Sequence, residues 1–119
     1  MKLLSLIAMA VLFTITTTQA QIKNPTTDTV KIYGNCGMCK TKIEKAANEK
    51  NVSQAEWNEE TGVALITYDA TKTNKDNILK KIANVGYDSD AFKALDATYN
   101  KLPGCCKYDR PKKIEVKSN

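Results

Sequence analysis

The sequence contains no histidine. That absence removes imidazole as a zinc ligand and as the base of a Ser/His or Cys/His catalytic pair. Aromatic residues make up only 7% of the chain, and no lysine–arginine cluster is interleaved with them. Nucleic-acid binding therefore lacks both its electrostatic stripe and its stacking platform. The net charge is +5, or +4 without Lys2, and it is spread among acidic residues. No internal repeat and no low-complexity tract is found.

The apolar run Leu3–Phe13 is too short to span a bilayer. It follows the positive Lys2 and precedes the small, polar Thr14–Ala20, which ends Thr18-Gln19-Ala20 before Gln21. That is the pattern of a secretory signal, so residues 1–20 are read as a leader. No cysteine lies near the cut, so a lipoprotein anchor is not expected, and the shortness of the apolar run argues against a permanent membrane anchor. The expected location is across the inner membrane, in the periplasm. The 99 residues that remain suffice for one small domain with a modest core.

What the chain does have is cysteine, four in two close pairs: Cys36 and Cys39, then Cys105 and Cys106. An even count in a small secreted domain suggests disulfides. A bridge within either pair closes almost no loop, however, and makes a poor staple. The first pair has C-x-x-C spacing in Tyr33-Gly34-Asn35-Cys36-Gly37-Met38-Cys39. Cys36 is expected in a loop and Cys39 in the first turn of a helix, where free N–H groups and the helix dipole favour thiolate.

The flanking pattern is legible. After a flexible lead-in over 21–28, Thr29–Tyr33 alternates as a half-buried strand. Cys39, Ile43, Ala46 and Ala47 recur at helical spacing, ending near 48–51. Val52–Asn58 and Val63–Tyr68 form a hairpin across Glu59-Glu60-Thr61-Gly62, with Ala55 and Trp57 on one face. A second helix over Lys75–Val85 buries Ile78, Leu79, Ile82 and Val85, and Gly86 caps it. A short fourth strand is expected around Tyr87-Asp88. The order is α+β, a ferredoxin-like βαββαβ sandwich. A short helical extension over Asp90–Lys101 follows, with Phe92, Leu95, Tyr99 and Leu102 as its stripe. Then come a Cys105-Cys106 loop and a charged, frayed Arg110–Asn119.

These residues resemble the heavy-metal-associated domain family: copper chaperones, the metal-binding modules of copper-transporting ATPases, and the periplasmic mercury-binding protein. The resemblance rests on Cys36-Gly37-Met38-Cys39 followed by Ile43-Glu44, and on Gly86-Tyr87-Asp88 after the second helix. It covers about residues 29–91 and leaves the 92–119 extension unexplained. Gly34-Asn35 stand where the family has Met-Thr, which implies a looser loop. The resemblance implies a metal site at Cys36 and Cys39, with Tyr87 as the aromatic near it. Met38, inside the C-x-x-C where the family does not place its methionine, is a further candidate neighbour of the ion, and Lys40 is expected to offset the negative charge of a dithiolate-bound ion. The resemblance also implies a metal-transporting ATPase or another metal-binding protein as partner. The chain is then a monomeric, non-enzymatic carrier.

Two thiolates one helical turn apart suit a soft ion in near-linear geometry. Cu(I) is the first choice, and Hg(II) and Zn(II) are the alternatives. Zn(II) would require further sulfurs, because it generally takes four ligands. Cys105 and Cys106 are additional candidate ligands if the tail folds back; otherwise they form a disulfide or a separate site. The competing function is a thiol-disulfide oxidoreductase using the same C-x-x-C, against which the hairpin order argues. A disulfide-stapled interaction domain is the third reading. An oxidising compartment favours the Cys36–Cys39 disulfide, so the metal reading expects a bound ion or a reductant to protect the thiols.

Overall fold

A computed structural model describes residues 22–112. The expected leader and the last seven residues of the expected frayed tail lie outside these. The elements are β1 (Pro25–Lys31), α1 (Gly37–Ala47), β2 (Ser53–Trp57), β3 (Val63–Asp69), α2 (Lys75–Asn84) and α3 (Asp96–Asn100). A one-turn 3-10 helix at Gly104–Cys106 follows.

The three strands form an antiparallel sheet in the order β1-β3-β2. Strict alternation decides its faces. Ser53, Ala55 and Trp57 of β2 are buried while Gln54 and Glu56 are exposed, and Ala64 and Ile66 of β3 point the same way. Against that face α1 places Cys39, Ile43 and Ala47, and α2 places Ile78, Leu79 and Ile82. Asn74 caps α2, its side chain accepting from the Asn77 N–H at 2.8 Å.

This is the α+β, ferredoxin-like architecture expected, with local differences. The first strand starts at Pro25, inside the expected lead-in, because β3 runs on to Asp69 and supplies partners as far as Pro25. Proline is tolerated as the first residue of an edge strand. The fourth strand is reduced to one bridge, Ile32 to Ser89. Ser89 explains why: its N–H donates to Phe92 O at 2.9 Å and its Oγ accepts from the Phe92 N–H at 3.1 Å. This turn pulls the chain away from β1 after a single pairing.

Val85 is 39% exposed rather than buried, because it falls at the end of α2, and Ala83 takes the inward position. Gly86 adopts the expected left-handed conformation, φ 109°. The third helix is confined to Asp96–Asn100, which leaves Leu95 75% exposed. Phe92 and Leu102 are buried from the flanking loops instead. Arg110, expected in a frayed tail, is held by Asp88: Nε donates to Oδ2 at 2.8 Å and Nη2 to Oδ1 at 2.9 Å.

Candidate metal centre

The loop from β1 to α1 is shaped by close contact. Trp57 is fully buried, and its indole N–H donates to Ile32 O at 3.0 Å. A Cβ on Gly34 would lie 3.1 Å from the Trp57 ring and from Cys39 Cβ, so the backbone passes where a side chain would crowd it. Asn35 reaches over Cys39: the Cys39 Sγ–H donates to Asn35 Oδ1 at 3.1 Å, and the Asn35 N–H lies 3.5 Å from Sγ. Asn35 thus ties the loop to Cys39, and the missing side chain of Gly34 leaves room for Trp57 and Cys39 beside the backbone.

Cys36 is the N-cap of α1, in extended backbone conformation, and Cys39 lies in the first turn. Their sulfurs are 3.6 Å apart. The two differ in character. The Cys39 backbone N–H at the helix start holds the Cys36 thiol below its ordinary range, the Met38 N–H adds to this, and partial burial opposes it. Burial pushes the fully buried Cys39 thiol up. The pair thus offers one partly exposed sulfur and one buried sulfur, whose surroundings act on their thiols in opposite directions.

The tail folds back over this pair. Cys106, fully buried, brings its Sγ within 4.8 Å of the sulfurs of both Cys36 and Cys39. Burial also raises its thiol. Cys105 stays outside: it is exposed, and its Sγ donates to Met38 Sδ at 3.3 Å. Its carbonyl accepts from Cys36 Sγ at 3.3 Å, which binds the tail backbone to the first pair. All four cysteines are free thiols.

Tyr87 is fully buried, and its hydroxyl is left without a hydrogen-bond partner among the described residues. The side chains acting on that hydroxyl are Cys106 and Cys39, and burial drives its ionisation far above the ordinary tyrosine range. Met38 is half exposed beside Cys105. Lys40, expected to offset charge at the sulfurs, is committed elsewhere: its Nζ donates to Glu44 Oε1 at 2.6 Å and to Trp57 O at 2.8 Å.

Sequence reasoning missed what holds the tail. Tyr108, buried, donates from its hydroxyl to Gly86 O at 2.7 Å and accepts from the Asp88 N–H at 2.8 Å. Its ring stacks on Tyr87 with centroids 5.7 Å apart. Arg110 binds Asp88 and also donates to Asp96 Oδ1 at 2.6 Å. Each residue of Gly86-Tyr87-Asp88 therefore contacts the tail. The available signal was Asp88, an acid beside a buried turn that calls for a cation.

Residues 29–88 match the model of the heavy-metal-associated domain. The chain belongs to this family. It is 36% identical over 80 residues to a copper-exporting P-type ATPase of Staphylococcus epidermidis, an alignment covering 66% of this chain and 10% of the ATPase. The chain thus spans about a tenth of the length of that curated relative. Among solved structures it is similar to the CopZ metallochaperone, at 29% identity and a TM-score of 0.51, covering 54% of this chain and 98% of that one. A putative copper-ion-binding protein from Bacillus anthracis str. Ames is comparably similar, at 27% identity, a TM-score of 0.51, and coverage of 55% and 94%. As a heavy-metal-associated domain with a cysteine cluster, the chain is a metal-binding protein of the copper-chaperone type.

Proposed function

We propose that the chain is an extracytoplasmic carrier of a soft metal ion, Cu(I) first, held by Cys36 and Cys39 and passed on by ligand exchange. The observation that carries this is the free thiol pair at the start of α1, sulfurs 3.6 Å apart, one partly exposed and one buried. Thiolates select soft ions. Without histidine, and with three clustered sulfurs rather than four, the donor set suits Cu(I) or Hg(II) better than a closed zinc site.

Transfer begins at the accessible sulfur. Cys36 is partly exposed whereas Cys39 is buried, so it is the point of entry and of exit. A cysteine of the acceptor bonds to the ion before Cys36 releases it, and the ion is never free. The acceptor is a metal-transporting ATPase or another metal-binding protein, in keeping with the similarity to an ATPase. No substrate is turned over, so the role is not enzymatic. The leader-like residues 1–20 support export to the periplasm.

The test is anaerobic competition between the reduced chain and a chromophoric Cu(I) chelator. The wild type is expected to strip copper from the chelator, and Cys36→Ser to lose most of that ability. Unchanged retention in Cys36→Ser, or catalytic reduction of insulin disulfides by the wild type, would favour the oxidoreductase reading instead. Export is checked separately: the protein isolated from the periplasmic fraction should begin at Gln21. An unprocessed cytoplasmic chain would contradict it.

A further inference from the structure

The cysteine of the tail and the spacing of the first pair bear together on coordination number. With a metal–thiolate bond of ~2.3 Å, a linear two-sulfur site separates its sulfurs by roughly 4.6 Å, and a planar three-sulfur site by roughly 4.0 Å. Cys36 and Cys39 are 3.6 Å apart, well short of the linear span. Cys106 completes a triangle in which every sulfur lies within 4.8 Å of the others. We infer that Cys106 is the third ligand of a three-sulfur site for a soft monovalent or divalent ion, and that the strap through Tyr108 and Arg110 holds it there. This inference rests on the soft-metal reading above and deepens it.

Independent features point the same way. A hydroxyl buried without a good acceptor gives up its bonds to water with nothing in return. That of Tyr87 is fully buried, meets full hydrogen-bond geometry with no described residue, and has only the sulfurs of Cys106 and Cys39 close enough to act on it. Metal binding deprotonates the sulfurs, which turns weak acceptors into charged ones. The hydroxyl then has an acceptor, and the excess negative charge of a thiolate-bound ion has a donor. The strap is built as well as present: Tyr108 Oη bonds Gly86 O and the Asp88 N–H, Arg110 bonds Asp88, and Tyr99 Oη donates to Tyr108 O at 2.6 Å. These contacts lie two to four residues from Cys106 and fix its position from one side. Cys105 Sγ lies 3.8 Å from Cys106 Sγ, but it is exposed and turned to Met38 Sδ, outside the triangle.

Three sulfurs change what the protein does with its cargo. A two-sulfur site is open to an incoming third sulfur, whereas this site already holds its own. Transfer then requires Cys106, and the strap behind it, to give way to the acceptor's sulfur before Cys36 releases the ion.

The test is X-ray absorption at the copper edge on the full mature chain loaded with one equivalent of Cu(I). Three sulfur neighbours are expected for the wild type and for Cys105→Ser, and two for Cys106→Ser. Cys106→Ser should also give up copper to the chelator faster than the wild type. Two sulfurs in the wild type overturn the inference whatever the variants do, so it stands or falls even if Cys106→Ser misfolds. Three sulfurs persisting in a folded Cys106→Ser overturn it too, because the third would come from elsewhere. Either result leaves the soft-metal reading intact. Failure of the wild type to bind Cu(I) at all removes both.

Discussion

Arg110→Ala is expected to be among the most destabilising substitutions outside the central core. Asp88 is fully buried, and its carboxylate accepts from Arg110 Nε at 2.8 Å, Arg110 Nη2 at 2.9 Å and the Ala94 N–H at 2.7 Å. Removing the guanidinium leaves a buried charge held by the Ala94 N–H alone among these donors. It also removes the donor to Ala94 O and the cation 4.7 Å above the Tyr99 ring. Orphaning a partner of a buried pair costs about 3–5 kcal/mol. The Arg110 side chain is 17% exposed, so water screens part of this, and the lower end, about 3 kcal/mol, applies. For a domain of this size that corresponds to a fall in Tm of roughly 10–25 °C. Urea unfolding under reducing conditions, followed by the fluorescence of Trp57, reads it directly. Adding Asp88→Asn removes the orphaned charge but keeps an acceptor for the Ala94 N–H, and should restore at least about 1 kcal/mol. A loss below about 1 kcal/mol for Arg110→Ala would show that Asp88 is not sealed beneath the tail.

Two further outcomes follow from the same geometry. Because the folded state lowers the Cys36 thiol, its thiolate persists to lower pH. The midpoint of its alkylation against pH, followed by mass spectrometry, should therefore lie below that of the same residue in urea, where it returns towards about 8.5. A midpoint that does not move on unfolding would contradict the helix-start account. Gly86→Ala places a Cβ at φ 109° and 3.1 Å from Leu102. The strained backbone should cost roughly 1–3 kcal/mol in the same urea experiment, whereas an unchanged midpoint would mean that the turn can relax.

The fold was readable because its signals are local. Alternation in Ser53–Trp57 and the helical period of Ile78, Leu79 and Ile82 are decided by which face meets the core. The Cys36–Cys39 pair was readable for the same reason, since a C-x-x-C between a strand and a helix places both sulfurs by backbone geometry alone. What escaped was decided at long range. Cys106 could be named as a candidate, yet its burial beside Cys36 and Cys39, with Cys105 left exposed, depends on Tyr108 and Arg110 reaching Gly86 and Asp88, some twenty residues away in the chain. The lost fourth strand has a local cause instead: Ser89 closes a turn with Phe92, three residues on, and leaves β1 after one pairing. Lys40 was assigned by proximity in sequence, and the Trp57 carbonyl and Glu44 captured it.

The central claim is that the sulfurs gathered at the start of α1 hold a single soft ion. Native mass spectrometry of the reduced chain, given one equivalent of Cu(I) in the presence of a competing chelator, tests this most directly. One copper adduct is expected for the wild type and none for Cys36→Ser/Cys39→Ser. An equal adduct in the double variant would place the ion elsewhere and contradict the account.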